Sequence, residues 1–302
     1  MSENIFSKAW YKFFNKNKYL YIKNKQRTYK NIKYYDSHVY EQIVEIQKKI
    51  TNSKELSFLH SGQMGDIIYS LATIKELSKT HKCRLYIQIN KPLPMDHGTS
   101  GRKFFLDERT ANLFLPLLKH QDFLETAEIY NGNKIDINLD LFRDIPINPS
   151  FYSSRWFSHI CGINIDVTKT FLSVKPHQSI KNKIIVGRSP RYRNAFLNYK
   201  FLKDTKNLLS IGLESEFNEL KKDIKNLEFY KCEDFLEMAA IIKGSKFLIG
   251  NMSLQYITSE ALKVPRLLEA SPEFPVAFPV GPNSFDAYHQ IHFEKYFSYL
   301  NK

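Results

Sequence analysis

From Glu55 onward the apolar positions fall in short runs that alternate with stretches of helical spacing. Residues 56–60 form a compact β-rich run, and the apolar positions of 66–80 recur with helical period. Residues 83–89 alternate apolar and polar, as a strand between two environments does. Helical spacing returns at 108–119 and 152–161, with shorter strand signals at 127–130 and 135–138. A polar stretch, 175–183, contains Pro176 and reads as a linker. A second series then opens, with strands over 184–187, 208–212 and 227–231, a helix near 234–243, a strand over 246–250 and a helix over 253–262. A short strand over 266–269 and a helix over 285–300 close it. Strands alternating with helices predict mostly parallel sheets covered by helices. The expected class is α/β, with two facing Rossmann-like domains (51–180 and 181–302) behind an N-terminal extension (1–50). The loop 91–103, with Pro92, Pro94, Gly98 and Gly101, is too long for a plain connector, and long loops in compact domains often carry function.

Composition narrows the class. A chain of 302 residues with 43% apolar and 25% charged residues can bury a proper core, which excludes a disordered or fibrous protein. No run of about 18 apolar residues is present, so no transmembrane helix is expected. Lys8, Lys12, Lys16 and Lys18 interrupt any signal-peptide core. Cys83, Cys161 and Cys232, odd in number and far apart, suit neither a disulfide framework nor a zinc site. A reducing, cytoplasmic setting is the expectation, with no metal.

The net charge is +13, and it is lopsided. Residues 1–34 hold nine Lys and Arg against one acid, Glu3, together with Phe6, Trp10, Tyr11, Phe13, Phe14, Tyr19, Tyr21, Tyr29 and Tyr34. Basic residues among aromatics suit an anionic surface, either membrane headgroups or nucleic acid. They suit equally an appendage whose aromatics pack on the main body while its lysines stay solvated.

Open α/β sheets bind ligands beyond the carboxyl ends of their strands, so chemistry is sought in the strand-to-helix loops. The first loop is His60-Ser61-Gly62-Gln63-Met64-Gly65-Asp66. Its glycines permit a tight turn, but it is neither a G-x-G-x-x-G fingerprint nor a Walker A loop. Asp66, at a helix start, is a candidate base, and is explained as readily by helix capping. Gly187-Arg188-Ser189-Pro190-Arg191-Tyr192-Arg193 follows the first strand of the second series, and three arginines there suit bidentate phosphate contacts. Gly212-Leu213-Glu214-Ser215-Glu216 offers carboxylates for ribose hydroxyls. Gly250-Asn251-Met252-Ser253-Leu254 opens a helix whose free amides suit a diphosphate, or Ser253 merely caps it. The scattered histidines contain no His-x-x-x-His pair, and no Gly-x-Ser-x-Gly elbow is present. His60, at a strand end, reads mainly as structural, and His97, beside Asp96 in the long loop, is a candidate acceptor contact.

The run Ser61-Gly62-Gln63-Met64-Gly65-Asp66-Ile67-Ile68-Tyr69-Ser70-Leu71-Ala72-Thr73-Ile74 resembles the N-terminal motif of the heptosyltransferase-like enzymes, glycosyltransferase family 9. Phe247-Leu248-Ile249-Gly250-Asn251-Met252-Ser253, followed by Glu260-Ala261-Leu262-Lys263-Val264-Pro265, is similar to the same family's donor-site motif. The resemblance covers roughly residues 55–280. It implies a GT-B fold and an inverting, metal-independent transfer from a nucleotide-diphosphate sugar to a glycan or lipid-linked acceptor. By position it makes Asp66 the base, Arg191 or Arg193 the diphosphate ligand, and Glu216, with Glu260 second, the ribose contact. Gly62, Gln63, Met64, Gly65 and His97 fall on the acceptor side, and Arg188, Asn251, Ser253 and Leu254 on the donor side. It also implies that the helix near 285–300 packs back across the domain junction. The chain departs from the family at Met252, where an acidic residue is usual, and at Leu254, Gln255 and Ile257, where small residues and a later His are usual.

The expected protein is therefore a glycosyltransferase with no cofactor beyond its donor, cytoplasmic and peripheral to the inner face of a membrane. Two alternatives stand beside it. One is a transferase acting on modified DNA bases; the other is a non-catalytic sugar-nucleotide-binding module.

Overall fold

The structure, a computed structural model, describes residues 5–94, 102–146 and 153–302. Two wholly parallel sheets organise it. The strands β1 (Glu55–His60), β2 (Lys82–Ile87), β3 (Thr126–Ile129) and β4 (Ile137–Asn138) lie in the order β3-β2-β1-β4. The strands β5 (Ile184–Gly187), β6 (Leu208–Ser210), β7 (Glu228–Phe229), β8 (Phe247–Asn251), β9 (Arg266–Glu269) and β10 (Ser284–Ala287) lie in the order β10-β9-β8-β5-β6-β7. Each sheet grows outward from its first strand and then returns to that strand's other side. The topological switch therefore falls between β1 and β4 in one sheet and between β5 and β8 in the other, where crevices for ligands open. Both sheets follow the doubly wound order, the paired Rossmann-like arrangement of a GT-B fold. Every residue of β5, β8 and β9 is buried, the polar ends Asn251, Arg266 and Glu269 included, which is why their centres read as short apolar runs.

The helices α4 (Met64–Leu77), α5 (Glu108–Lys119), α6 (Ser154–Cys161), α7 (Glu214–Leu220), α8 (Phe235–Gly244), α9 (Leu254–Leu262) and α10 (Gln290–Leu300) cover the sheets. Capping fixes several starts: Asp107 accepts from Thr110 N at 2.7 Å before α5, and Asp234 from Glu237 N at 2.8 Å before α8. Because α4 packs on α9 and α5 on α8, one core runs from the first sheet into the second, through Ile67, Leu71, Met238, Tyr256 and Ala261. At this seam Glu260 is fully enclosed, held by Arg266 Nε at 2.6 Å and by Lys263.

The C-terminal segment differs from the sequence expectation. Residues 284–287 are not helical; they pair with β9, Phe285 opposite Leu267, and so extend the sheet. The helix starts only at Gln290 and does not cross the junction. Its Phe293 and Phe297 enter a second core with Phe247, Leu202 and Tyr199, all from the C-terminal half. The short helix α7, absent from the sequence reading, follows β6 directly.

Ahead of the first sheet lie α1 (Ile5–Phe14), α2 (Lys16–Tyr34), a π-helical turn (Tyr35–Val39) and α3 (Tyr40–Asn52). Asn15 breaks the first pair and caps α2 by accepting from Lys18 N at 3.0 Å. Val39 and Ile46 join the main core, so α3 belongs to the body while α1 and α2 stand outside it. Trp10, Phe13, Phe14, Tyr21 and Tyr29 are exposed, so of the two readings of this segment the one in which its aromatics pack on the body does not describe these five.

Two glycines test the packing. A Cβ at Gly250 would run into the carbonyl oxygen of Gly187 on the paired strand, whereas one at Gly65 would meet only the side-chain tip of Ile257, at 2.5 Å. Gly250→Ala is expected to cost about 2–3 kcal/mol, because backbone cannot yield. Gly65→Ala is expected to change stability by less than about 1 kcal/mol, since Ile257 can rotate and alanine favours the helix. Urea denaturation of both variants checks this, and equal losses would contradict it.

Candidate functional site

The turn from β1 into α4 carries the first crevice. Gly62 sits at φ +102, a conformation that favours glycine, and bends the chain over Phe105 and Leu106. Gln63 caps α4, which places Asp66 at the third helical position, where its Oδ2 accepts from Gln63 N at 3.2 Å. The same oxygen accepts from Arg143 Nη2 at 2.9 Å, and no hydrogen bond among the described residues engages Oδ1. Arg143 comes from the 3-10 turn (Leu139–Arg143) after β4, the strand across the switch point. Its guanidinium lies between the rings of Phe105 (4.7 Å) and Phe142 (4.4 Å) and also donates to the Gly62 carbonyl.

Asp140 anchors this corner. Its carboxylate accepts from Ser61 N at 3.1 Å, Arg143 Nη1 at 2.6 Å and Lys91 Nζ at 2.8 Å, and from the Ser61 hydroxyl. His60 Nδ1 lies 3.3 Å away, its ring wholly buried against Phe157. Burial alone would push the Asp140 carboxyl up; His60, Arg143 and Lys91 override it and hold the group well below the usual carboxylate range.

The second crevice lies across from the first. Of its three arginines, two are already neutralised. Arg188 makes a two-pronged contact to the fully buried Glu269, at 2.8 Å from each oxygen, and donates to Leu197 O at 3.0 Å. Arg193 grips Glu219 at 2.5 and 2.8 Å, which holds that carboxyl below its ordinary range. Arg191 differs: no carboxylate among the described residues pairs with it. It donates to Gln63 Oε1 at 3.3 Å, reaching the cap of α4 in the other half, and to the Tyr192 hydroxyl.

The supporting shell is made by Asn251, whose side chain accepts from Ser189 N at 2.9 Å and donates to the carbonyls of Ser189 at 3.0 Å and Arg191 at 2.6 Å. Ser253 caps α9 through Tyr256 N (3.4 Å) and donates to Gln255 Oε1 at 2.9 Å; Leu254 begins that helix against the core. Gln255 lies against Gly187, where a Cβ would stand 2.6 Å from its Oε1, and against Gly212. Glu216, third residue of α7, accepts from Leu213 N at 3.4 Å, and burial pushes its carboxyl above the usual range against the pull of Arg193 and Arg102.

The structure thus joins Gln63, Asp66 and Arg191; Asn251 holds the loop of Arg191, and Ser253 bonds Gln255, which lies with Glu216 against Gly212. It does not bring three of the expected residues to the crevice as ligands. Arg188 braces Glu269, Glu260 is sealed in the seam by Arg266 and Lys263, and Gly65 packs toward Ile257. His97 lies outside the described residues. Beside Met64, a cavity of about 330 Å³ is lined by Arg102, Phe105, Asp107 and Thr110. Among the described residues no group of His, Cys, Asp and Glu is placed to hold a metal ion. Lys91, Asp140 and Arg143 were missed by sequence reasoning. The one available signal was the position of Asp140 and Arg143 directly after a strand signal (135–138), the kind of place searched after four other strands.

No protein-family model matches the chain, and no curated protein matches it in sequence. It is similar to the solved structure of a glycosyltransferase family 9 protein from Veillonella parvula DSM 2008, at 10% identity and a TM-score of 0.49, over 82% of this chain and 89% of that one. It is similar also to the E. coli heptosyltransferase WaaC with ADP-2-deoxy-2-fluoro heptose, at 12% identity and 0.47, over 82% and 100%. A third is the dodecameric iron-containing heptosyltransferase TibC in complex with ADP-D-beta-D-heptose, at 13% and 0.48, over 77% and 62%.

Because the folded Asp140 ionises far more readily than the unfolded one, its contribution to stability is present above about pH 4 and is lost as pH falls through and below that value. Asp140→Asn is expected to cost about 3 kcal/mol at pH 7, as it leaves Arg143 and Lys91 facing an uncharged group. The difference from wild type should shrink on acidification. Denaturation curves at pH 7 and pH 3.5 check both the size and the sign.

Proposed function

We propose that the protein transfers a sugar from a nucleotide-diphosphate sugar to a hydroxyl of a glycan or lipid-linked acceptor, with inversion and without a metal. The observation that carries this reading is the meeting of Asp66 and Arg191 across one crevice, through Gln63. A carboxylate from one half and an uncompensated guanidinium from the other are the two groups such a transfer needs.

In this reading the donor lies along the second crevice, its diphosphate toward Arg191 and the amide end of α9 at Ser253. Glu216 is the carboxylate on hand for the ribose hydroxyls. The acceptor enters beside Gln63 and Met64. Its oxygen attacks the anomeric carbon from the face opposite the diphosphate and passes its proton to Asp66 Oδ1. As the glycosidic bond forms, the bond to the diphosphate oxygen breaks, and Arg191 with the helix amides takes up the charge that a divalent cation would otherwise balance. Arg143 on Oδ2 fixes the carboxylate in the orientation that leaves Oδ1 to the hydroxyl.

A second reading, a nucleotide-sugar-binding module without turnover, is favoured by one feature. Gln255 covers Gly187 and Gly212, where a donor would approach the backbone.

Thermal-shift titration with nucleoside diphosphates and nucleotide sugars separates the readings. One nucleotide should raise the midpoint, equally with and without EDTA. Arg191→Ala should weaken that binding at least about tenfold through loss of charge-assisted hydrogen bonds. Asp66→Asn should leave binding intact and lower sugar transfer about a hundredfold or more. Binding with no transfer in the wild type establishes the module, and no nucleotide response sinks both readings.

A further inference from the structure

The arm formed by α1 and α2 is outside the core and is not used by the transfer reaction. In α1 the rings of Phe6, Trp10, Phe13 and Phe14 recur at i, i+4, i+7 and i+8, which places them within a sector of about 100° on one face. That face is turned outward. The four residues are 81%, 60%, 80% and 69% exposed, and Trp10 rests on Phe14 at 4.2 Å between ring centres. The inner side carries Tyr11, whose ring takes the ammonium of Lys18 at 4.2 Å, and Lys8, half-buried. A helix of this kind places its apolar residues where water is, opposite to what packing on a body requires.

The surrounding charge says what covers it. Residues 1–34 carry a net +8; Lys12 lies on the side of α1 away from the rings, and Lys16, Lys23, Lys25, Arg27, Lys30 and Lys33 run along α2, all exposed. Aromatic side chains on one face of a short helix, with exposed lysines along the adjoining helix, match the boundary between headgroups and acyl chains of an anionic bilayer. The segment holds eight Lys to one Arg, a balance suited to diffuse attraction by headgroups rather than to the forked contacts of nucleic-acid readout. A second copy of the chain would bring the same +8 against itself. No described helix is long and apolar enough to cross a membrane, so the contact would lie in the interface.

We propose that α1 docks the protein on an anionic membrane surface by inserting Trp10, Phe13 and Phe14, with the lysines of α1 and α2 on the headgroups. The assignment is independent of the transfer reaction. Its test uses the full chain with neither nucleotide nor acceptor, so that failure here leaves the reading of the crevice untouched.

Sedimentation with vesicles of phosphatidylcholine alone, and with about 30 mol % phosphatidylglycerol added, measures the partition. Wild type should bind the anionic vesicles, release at high salt, and show a blue shift of tryptophan emission that Trp10→Phe removes. The triple variant Trp10→Ser, Phe13→Ser, Phe14→Ser should bind at least about tenfold more weakly at an unchanged thermal midpoint. Wild type that ignores anionic vesicles overturns the proposal, as does a triple variant that binds equally well. Retention by a single-stranded oligonucleotide with indifference to vesicles would overturn it in favour of nucleic acid. Concentration-dependent self-association lost in the triple variant, without vesicle binding, would do so in favour of a second copy.

Discussion

The buried carboxylate of Asp140 is the fixed point of the first crevice. It gathers the turn after β1 through Ser61, the segment after β2 through Lys91, and its own turn after β4 through Arg143. A charge so placed is costly unless every lone pair is met, and here at least four donors meet it. Arg143 then passes the constraint on: one arm holds Asp140, the other holds Asp66 and the Gly62 carbonyl, and the plane is clamped between two phenylalanines. The position of Asp66 therefore follows from a network two residues deep, and Asp66 is held by more than its own helix. Such networks are worth more than their separate bonds, and a half-satisfied one is worse than an apolar core.

The second crevice is governed by the same physics in reverse. Three arginines close together repel unless acids intervene, and Glu269 and Glu219 neutralise the outer two. Arg191, between them in sequence, is left with neutral partners, Gln63 and Tyr192. An unbalanced guanidinium, with Asn251 holding its loop rigid, is a site prepared for an anion supplied from outside. Compensation of its neighbours makes that preference local.

Much of the fold was legible in the chain. The strand at 184–187, the strand at 266–269 and the helix at 108–119 fall where periodicity places them, because each is either fully buried or sharply amphipathic. The strand at 284–287 was not legible. Phe285 fits a helical pattern as well as a strand, and only the open edge of β9 decides between them. The roles of charged residues were harder still. Arg188, Arg191 and Arg193 look alike in sequence, and which of them is free depends on Glu269 and Glu219, 81 and 26 residues away. Glu260 read as a ligand because it follows a motif, yet Arg266 and Lys263 enclose it. Arg143 was invisible for the same reason: its importance lies in what β4 places beside β1. Pairing of charges is a tertiary property, and short-range pattern does not contain it.

The seam decides how these parts act together. The core passes from one sheet to the other through α4 on α9 and α5 on α8, so the spacing between Asp66 and Arg191 is fixed by packed side chains on the helices that start at the two crevices. Gly65 against Ile257 lies in that seam, directly behind the residues that face the cleft. The side-chain tip of Ile257 can yield there, so the width of the crevice rests on the packed contacts of α4 on α9 and α5 on α8. No described residue of α1 or α2 belongs to that core, which begins at Val39; α2 reaches the body through Asn31, which donates to the Pro146 carbonyl at 2.8 Å. Energetic changes in groups without shared neighbours add independently. Attachment at the arm and chemistry at the crevice are thereby separable properties of one chain, the first set by exposed rings and lysines and the second by buried acids.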